Sequence, residues 1–155
     1  MIAMTATAEK KAMMEKICTH QLEGLMFHFE YACIAKLLEH DKMACMQYKQ
    51  AMRETENHFN TVLRLIEAYG ETFYASNGKL TCNAICVGEK PSSKELADNI
   101  CREMLEKWKD WECKTVQLYD EAVHTIPECR MWKCLKHEAE KELEYVSKLL
   151  VKAKV

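Results

Sequence analysis

Acidic residues and a histidine at helical spacing are the part of this sequence best suited to chemistry, because carboxylate and imidazole groups are common metal ligands. In the stretch RETENHF, Glu54, Thr55 and Glu56 shortly precede His58. Residues three or four apart share one face of a helix, so only some of these groups would point toward a common interior. The stretch is therefore a candidate metal-binding turn whose remaining ligands would come from other helices.

The inward face of the helix around His58 can be predicted from a rotation of about 100° per residue. An apolar row along this helix places Thr55 and His58 on the inward face. On the same wheel Glu56 points outward and Glu54 lies at the edge of the face. The side chain predicted to lie one turn before the histidine is thus a threonine rather than a carboxylate.

Carboxylates occupy inward positions on the three other helical segments. Glu30, and Glu23 one heptad earlier, lie on one side of the first segment, and apolar residues surround Glu112 on the third. On the fourth, Glu142 lies among apolar residues, with Glu138 toward the edge. Converging carboxylates in an apolar core are costly for one another, and a divalent cation would relieve them together.

The depth of these groups along the helices agrees between the two halves of the chain. Glu23 and His58 are equally far from the turn expected between their helices, and the same holds for Glu112 and Glu142. Antiparallel residues at equal distances from their turn lie at one level. The four residues are therefore predicted to share one site in the middle of a helix bundle.

Four helical segments must position these groups, and the placement of the scarce glycines and prolines defines them. The segments are predicted over residues 8–39, 43–69, about 92–124 and 127–155. Gly70 suits the end of the second helix, Ser92 or Ser93 the cap of the third, and Pro127 the first turn of the fourth. The fold class is therefore all-α.

The lengths of the connections predict the topology. Short turns near His40 and Thr125 make each pair of flanking helices an antiparallel hairpin, whereas residues about 70–91 are long enough to cross the full length of the bundle. The predicted fold is a four-helix bundle of two antiparallel hairpins joined by one long crossover. It occupies residues 1–155 as a single domain.

Composition excludes several classes of partner. The net charge is -2, 48% of residues are hydrophobic and 30% are charged, and no basic block suggests binding to nucleic acid. No stretch of 18 residues lacks a charge, and the N-terminal residues do not form an apolar signal core. We expect a cytoplasmic protein with no membrane segment. Phosphate-binding and hydrolase motifs such as GxxxxGK and GxSxG are absent from the sequence.

Nine cysteines form an odd set that mostly falls within helical segments, which favours reduced thiols over a disulfide framework. Cys82 and Cys86, in CNAIC, form the one pair close enough in sequence to chelate a metal or to oxidise readily. A free, incidental pair is the alternative interpretation.

The helix layout, together with HQLEGLMFHFEYACIAKLL followed by RETENHF, resembles the ferritin-like superfamily of ferritins, bacterioferritins and rubrerythrins. The resemblance in topology covers the whole chain, and the motif resemblance is patchy. It implies a ferritin-like bundle that holds two iron ions through one glutamate from each of two helices and a Glu-x-x-His pair from each of the others.

When the ligands of the family are matched residue by residue, the resemblance implies that Glu23, His58 and Glu112 bind the metal. Glu142 is a fourth candidate ligand because of its inward position. Thr55 stands where a bridging glutamate is expected, and Glu142 belongs to no Glu-x-x-His pair. Glu54 or Glu30 could replace the missing bridge. An asymmetric dinuclear site and a mononuclear site both remain open.

The function implied is that of an iron-binding protein, with manganese or zinc as other metals that such ligands accept. It would oxidise ferrous iron or reduce oxygen or peroxide, with Tyr119 or Tyr145 as supporting or redox-active groups. A homo-oligomer, a dimer at least, is expected, with Phe27 and Tyr31 on helix one as candidates for the dimer surface.

Two other functions compete with metal chemistry. A helical bundle that has lost catalysis could serve as an interaction or oligomerisation scaffold. Storage of a soft ion such as Cu(I) by thiols would need cysteines on successive turns of one face, and the cysteines here are too dispersed for that.

Overall fold

A computed structural model gives the architecture and describes residues 4–70 and 93–153. Four helices account for nearly all of these residues: α1 (Ala8–Leu37), α2 (Asp41–Tyr69), α3 (Lys94–Thr125) and α4 (Met131–Ala153). Within the described ranges there is no β-strand. The predicted all-α four-helix fold is therefore confirmed. Cys82 and Cys86 lie outside the described residues.

Polar side chains start the helices, and a left-handed residue ends the first one. Thr7 and Ser93 accept hydrogen bonds from the backbone N–H groups three residues ahead, at 3.3 Å in both cases, which satisfies donors that a helix start leaves unpaired. At the end of α1, Glu39 has φ 59° and its N–H bonds to the carbonyl of Lys36. This left-handed residue turns the chain into α2 within three residues.

Two hydrophobic clusters mark the two ends of the bundle and give the direction of each helix. One cluster joins the beginning of α1 and α4 to the ends of α2 and α3, for example through Ile17, Leu65, Ala122 and Trp132. The second joins the end of α1 and α4 to the beginning of α2 and α3. α2 and α3 are therefore parallel, and the connection between Tyr69 and Lys94 joins opposite ends of the bundle, as the predicted crossover requires.

The closest helix packing is between α1 and α2, between α3 and α4, and between α1 and α3. Gly24 makes the last of these possible, since a Cβ atom built at this position would lie 2.2 Å from Cζ2 of Trp111. The Trp111 ring also stacks on His20, with ring centroids 4.4 Å apart. An indole ring thus fills the space that the missing side chain leaves.

The orientation of α1 and α2 differs from the prediction. Phe27 and Tyr31, expected on an outer dimer surface, are 2% and 0% exposed. Thr55, expected inside, is exposed, and its hydroxyl donates to the carbonyl of Ala51 at 2.9 Å. Glu54 is the residue that α2 turns inward, at 4% exposure. Both helices carry apolar residues on the outer face as well, so an apolar row alone did not identify the inner one.

A search of the described helices finds none that is long and apolar enough to cross a membrane.

Candidate metal centre

Three carboxylates from three different helices converge in the interior. Glu54 on α2, Glu112 on α3 and Glu142 on α4 each place one oxygen within 4.8 Å of the others. Glu54 and Glu112 are buried, and the Glu142 side chain is 15% exposed. All three residues are among the candidate ligands predicted from the sequence, and the equal depth predicted for Glu112 and Glu142 agrees with their proximity here.

Two neutral donors orient the carboxylates. The amide nitrogen of Gln50 donates to Oε2 of Glu142 at 2.6 Å and to Oε1 of Glu54 at 3.3 Å. The indole nitrogen of Trp108 donates to Oε1 of Glu112 at 3.1 Å. The other oxygen of Glu112, Oε2, is fully buried and has no hydrogen-bond partner among the described residues. One acceptor in the cluster is therefore free to bind a cation or a proton.

Burial and mutual repulsion make the charged state of this cluster costly. Burial, followed by the neighbouring charge of Glu142, raises the pKa of Glu54 from 4.5 to about 8, although the Gln50 hydrogen bond opposes the shift. The same two causes raise the pKa of Glu112 well above its ordinary value. Without a cation, the cluster therefore holds protons near neutral pH.

The cluster lies beside a water-accessible opening between α2 and α4. Glu142 lines a cavity of about 430 Å³ there. The other residues that line it are Arg53, Glu56, Asn57, Asn60, Glu138 and Lys141. Nη1 of Arg53 lies 3.8 Å from Oε1 of Glu142, and the Arg53 side chain is 69% exposed. A hydrated ion can thus approach Glu142 from solvent, past an arginine whose side chain is largely exposed.

His58 contacts a neighbouring hydrogen-bond network rather than the three carboxylates. Its Nδ1 lies 3.0 Å from Oε1 of Gln21, an oxygen that can only accept, so Nδ1 carries the proton. The amide nitrogen of the same Gln21 donates to the hydroxyls of Thr61 and Tyr119, at 2.9 and 3.0 Å. The charges of Glu54, Glu112 and Glu142 help to raise the pKa of Tyr119, which indicates that this network borders the cluster.

The remaining residues predicted for the site lie outside the cluster. Glu23 and Glu30 on α1 are half-buried, and Glu23 lines a separate surface cavity with His20 and Lys114. On α4, Glu138 is exposed but lines the opening beside Glu142, and Tyr145 is 49% exposed with its ring 6.2 Å from that of Trp108. α1 therefore contributes no carboxylate to the group of three.

Sequence reasoning missed the two donors, Gln50 and Trp108. Gln50 precedes Glu54 by four residues and Trp108 precedes Glu112 by four, so each donor lies one helical turn before the carboxylate that it contacts. This repeated spacing was available in the sequence. It does not identify the site by itself, however, because Gln117 and Glu121 stand at the same interval and are both exposed.

Three carboxylate oxygens suit hard divalent cations, which prefer oxygen ligands. The buried oxygen of Glu112 supports this fit, since a cation would displace only the proton that Glu112 shares with Glu142 and no hydrogen-bond donor from another side chain. Neither a scan of protein-family models nor a search among curated proteins finds a match to this chain.

Proposed function

We propose that this protein binds one divalent metal ion, iron in the first place, through Glu54, Glu112 and Glu142. The observation that carries the proposal is the unpartnered Oε2 of Glu112, which is buried within reach of two other carboxylates. Three ionised carboxylates facing one another would repel strongly, and a dication offsets most of that charge. Manganese is the other metal that an all-carboxylate site suits, whereas zinc would favour an imidazole ligand, and His58 contacts Gln21 instead.

Each residue has a distinct role in this proposal. Glu112 accepts a hydrogen bond from Trp108 and offers its other oxygen to the metal. The amide nitrogen of Gln50 donates to both Glu54 and Glu142 and so fixes their relative position. Glu142 faces the opening between α2 and α4 and would meet the ion first. A single metal is proposed because three carboxylates leave too little negative charge to hold a second dication tightly.

We further propose that the bound Fe²⁺ is oxidised by oxygen or peroxide. We also propose that the protein is related to ferritin-like proteins. The parallel arrangement of α2 and α3, with a connection between opposite ends, supports that kinship. Tyr119 is the nearby group suited to a redox role, because it lies within electrostatic range of all three carboxylates. His58 would act through Gln21, by orienting the amide that contacts Tyr119.

The test is metal binding by protein that has been stripped with a chelator. We expect calorimetry under anaerobic conditions to give about one Fe²⁺ or Mn²⁺ per chain. Replacement Glu112→Gln keeps the shape of the side chain and removes the free charged oxygen, so affinity should fall about 100-fold. Glu106→Gln, at an exposed position of the same helix, is the matched control and should bind as the native chain does.

The oxidation step is measured separately. Protein loaded anaerobically with Fe²⁺ is exposed to oxygen, and consumption is followed with an electrode. The redox part of the proposal is supported if the native chain consumes oxygen faster than the Glu112→Gln variant does. If the native chain binds metal but does not consume oxygen faster, the protein stores the metal or uses it for structure. If the native chain binds no metal, the proposal fails and the scaffold function is favoured.

A further inference from the structure

A second cavity between α2 and α4, of about 570 Å³, lies on the side of the carboxylate cluster toward the start of α2. Helices α2 and α4 are not among the most closely packed helix pairs, which leaves room for it. Its lining residues are Lys42, Cys45, Met46, Lys49, Gln50, Arg53, Trp108 and Tyr145. We call this space the basic cavity. Pockets of roughly 300–1,000 Å³ are typical of sites that bind small organic molecules.

The charge of the basic cavity is of one sign. Three cationic side chains and no acidic one are found among the described residues that line it. The cavity beside Glu142 differs, because three glutamates accompany its two basic residues. The cavity around His20 is also mixed, with Glu23 and Glu121 beside its two lysines. The basic cavity therefore favours an anionic ligand.

The cations of the basic cavity are placed where they destabilise α2. Lys49 and Arg53 are four residues apart, a spacing at which like charges repel on a helix. Lys42 stands in the first turn of α2, where the helix dipole disfavours a positive charge. Within the described ranges, neither lysine forms an ion pair, and Arg53 lies 3.8 Å from Glu142. A bound anion would relieve this concentration of positive charge.

Aromatic side chains form another part of the cavity wall. The ring of Tyr145 is 49% exposed and lies 6.2 Å from the ring of Trp108. Trp108 is 1% exposed, and its indole nitrogen donates to Glu112, so its position is fixed. Met46 adds a thioether, which packs well against aromatic rings. The cavity can therefore bind a planar ring as well as an anionic group.

The ring of Tyr145 and the cations lie at similar levels along the bundle. Gln50 contacts Glu142, and α4 runs antiparallel to α2, so Tyr145 is level with a position about three residues earlier on α2. At 1.5 Å per residue, Lys49 is then within about 3 Å of that level. The other two cations lie within about two helical turns, one on either side. Flexible basic side chains can span such distances.

We propose that the basic cavity binds a planar aromatic molecule that carries a phosphate group. The ring packs against Tyr145, and the phosphate binds Lys49, with Lys42 and Arg53 as further cations on either side. A phosphate monoester fits because it carries about two negative charges at neutral pH and accepts several charge-assisted hydrogen bonds. Flavin and purine mononucleotides both have this chemistry. The site does not depend on the proposed metal.

The test is the binding of flavin mononucleotide to protein kept in excess chelator, so that the result is independent of metal binding. Flavin fluorescence falls when the ring stacks on tyrosine, and titration gives the Kd. We expect a Kd below about 100 µM at low ionic strength, which should rise when NaCl is added. Riboflavin lacks the phosphate and inorganic phosphate lacks the ring, so each should bind at least about 10-fold more weakly.

Competition with adenosine monophosphate distinguishes the two sources of the ligand. If it displaces flavin mononucleotide with the lower Kd of the two, the cavity is suited to a purine nucleotide. If it displaces the flavin only with a higher Kd, the cavity is suited to the flavin. Both results support a site for an aromatic phosphate.

Two exposed side chains locate the site. Lys49→Gln should weaken binding of flavin mononucleotide about 10-fold and leave riboflavin binding unchanged, because only the phosphate needs the charge. Lys109→Gln, at an exposed position of α3 outside the cavity, is the matched control. Tyr145→Leu should weaken the binding of both flavins, whereas Tyr145→Phe keeps the ring and should bind as the native chain does. Circular dichroism shows whether each variant is folded.

Thiol labelling gives a second readout. Cys45 is exposed and lines the basic cavity, whereas Cys134 is exposed and lines a different one. Bound flavin mononucleotide should slow the labelling of Cys45 by a water-soluble thiol reagent and leave the labelling of Cys134 unchanged.

Four results would overturn the proposal. Flavin mononucleotide and adenosine monophosphate could both fail to bind in the micromolar range. Riboflavin or inorganic phosphate could bind as tightly as flavin mononucleotide. Folded Lys49→Gln and Tyr145→Leu variants could keep the native affinity. Labelling of Cys45 could also be unchanged in protein that is saturated with the flavin.

Discussion

The amide nitrogen of Gln50 on α2 lies 2.6 Å from Oε2 of Glu142 on α4, so one hydrogen bond joins two helices across the interior. The same nitrogen lies 3.3 Å from Oε1 of Glu54. Because an amide carries no charge, it orients both carboxylates without neutralising either. Apart from the exposed Arg53 beside Glu142, protons or a bound cation must offset the negative charge of the cluster.

Replacing Gln50 with glutamate tests this relationship. Gln50→Glu removes the donor and adds a fourth buried carboxylate, so the metal-free protein should lose on the order of 2–4 kcal/mol of unfolding free energy at pH 7.5. A divalent cation should restore more stability to this variant than to the native chain, because it meets more negative charge. Urea denaturation with a chelator and with excess Mn²⁺ measures both effects.

The control for this variant is Gln117→Glu, which places the same new charge at an exposed position of α3. Its stability should stay within about 0.5 kcal/mol of the native value with or without Mn²⁺. Equal losses in the two variants, or no response of Gln50→Glu to Mn²⁺, would contradict the arrangement described for the cluster.

Buried carboxyl groups should make the metal-free protein less stable as pH rises from about 4.5 to about 8. Glu54 has an ordinary pKa of 4.5 that the fold raises to about 8, and Glu112 is raised in the same direction. A carboxyl with a raised pKa contributes its full stability below 4.5 and loses it progressively as pH rises toward the folded value. The loss is about 1.4 kcal/mol per pH unit for each proton involved.

Two histidines, His28 buried and His20 half-buried, produce the opposite slope in acid. Burial lowers the pKa of His28 from 6.5 to about 3, against the opposing hydrogen bond to Gln47, and burial with the charges of nearby lysines lowers that of His20 to about 4. Their stability is complete above 6.5 and is lost as pH falls toward these values. The metal-free protein should therefore be most stable between about pH 4.5 and 6.5.

Urea denaturation at pH 4 to 8.5 measures the profile. Glu54→Gln should flatten the decline between pH 6.5 and 8, and excess Mn²⁺ should do the same in the native chain by binding the ionised carboxylates. A profile that rises steadily through pH 8 in the presence of chelator would contradict the burial of charge at Glu54 and Glu112.

Gly24→Ala should destabilise the protein even though alanine is the better helix former. In an exposed helix this substitution stabilises by about 1 kcal/mol. Here the added Cβ would lie 2.2 Å from the Trp111 ring. We expect this overpacking to lower the free energy of unfolding by about 1–3 kcal/mol in total. Combining it with Trp111→Leu, which removes the obstructing ring, should cost less than the sum of the two single changes. An additive double variant would show that the two residues do not compete for space.

The sequence predicted the four helices and their connectivity because these depend on local signals, but the start of α4 was wrong: the helix begins at Met131, and Pro127 lies in the turn before it. The residue types alone placed the cap of α3 at Ser92 or Ser93, of which Ser93 is the cap, and the end of α2 before Gly70, which has φ 72°. The depth of Glu112 and Glu142 followed from the same local signals, since depth depends only on distance from a turn. Their proximity in the cluster agrees with that prediction.

The rotation of α1 and α2 about their axes could not be predicted in the same way. The inner face of α2 holds Gln47, Gln50 and Glu54, while its outer face holds exposed Tyr48 and Phe59. A polar site inside and an apolar surface outside reverse the usual distribution, so choosing the most apolar row selects the wrong face. The error of one residue moved Thr55 into the site and left Glu54 at its edge.

Adjacent positions 54 and 55 therefore provide a direct test of which face of α2 holds the ligand. If Glu54 is the ligand, Glu54→Gln should weaken Mn²⁺ binding at least about 10-fold, because one of three carboxylates is lost. Thr55→Glu should leave both the affinity and the number of bound ions unchanged, because the side chain at this position is exposed and points away from the cluster. Calorimetric titration of both variants, and of Glu56→Ala as an exposed control, gives the comparison. An increase toward two ions per chain in Thr55→Glu would mean that α2 is rotated relative to the orientation described here, and that position 55 faces the metal.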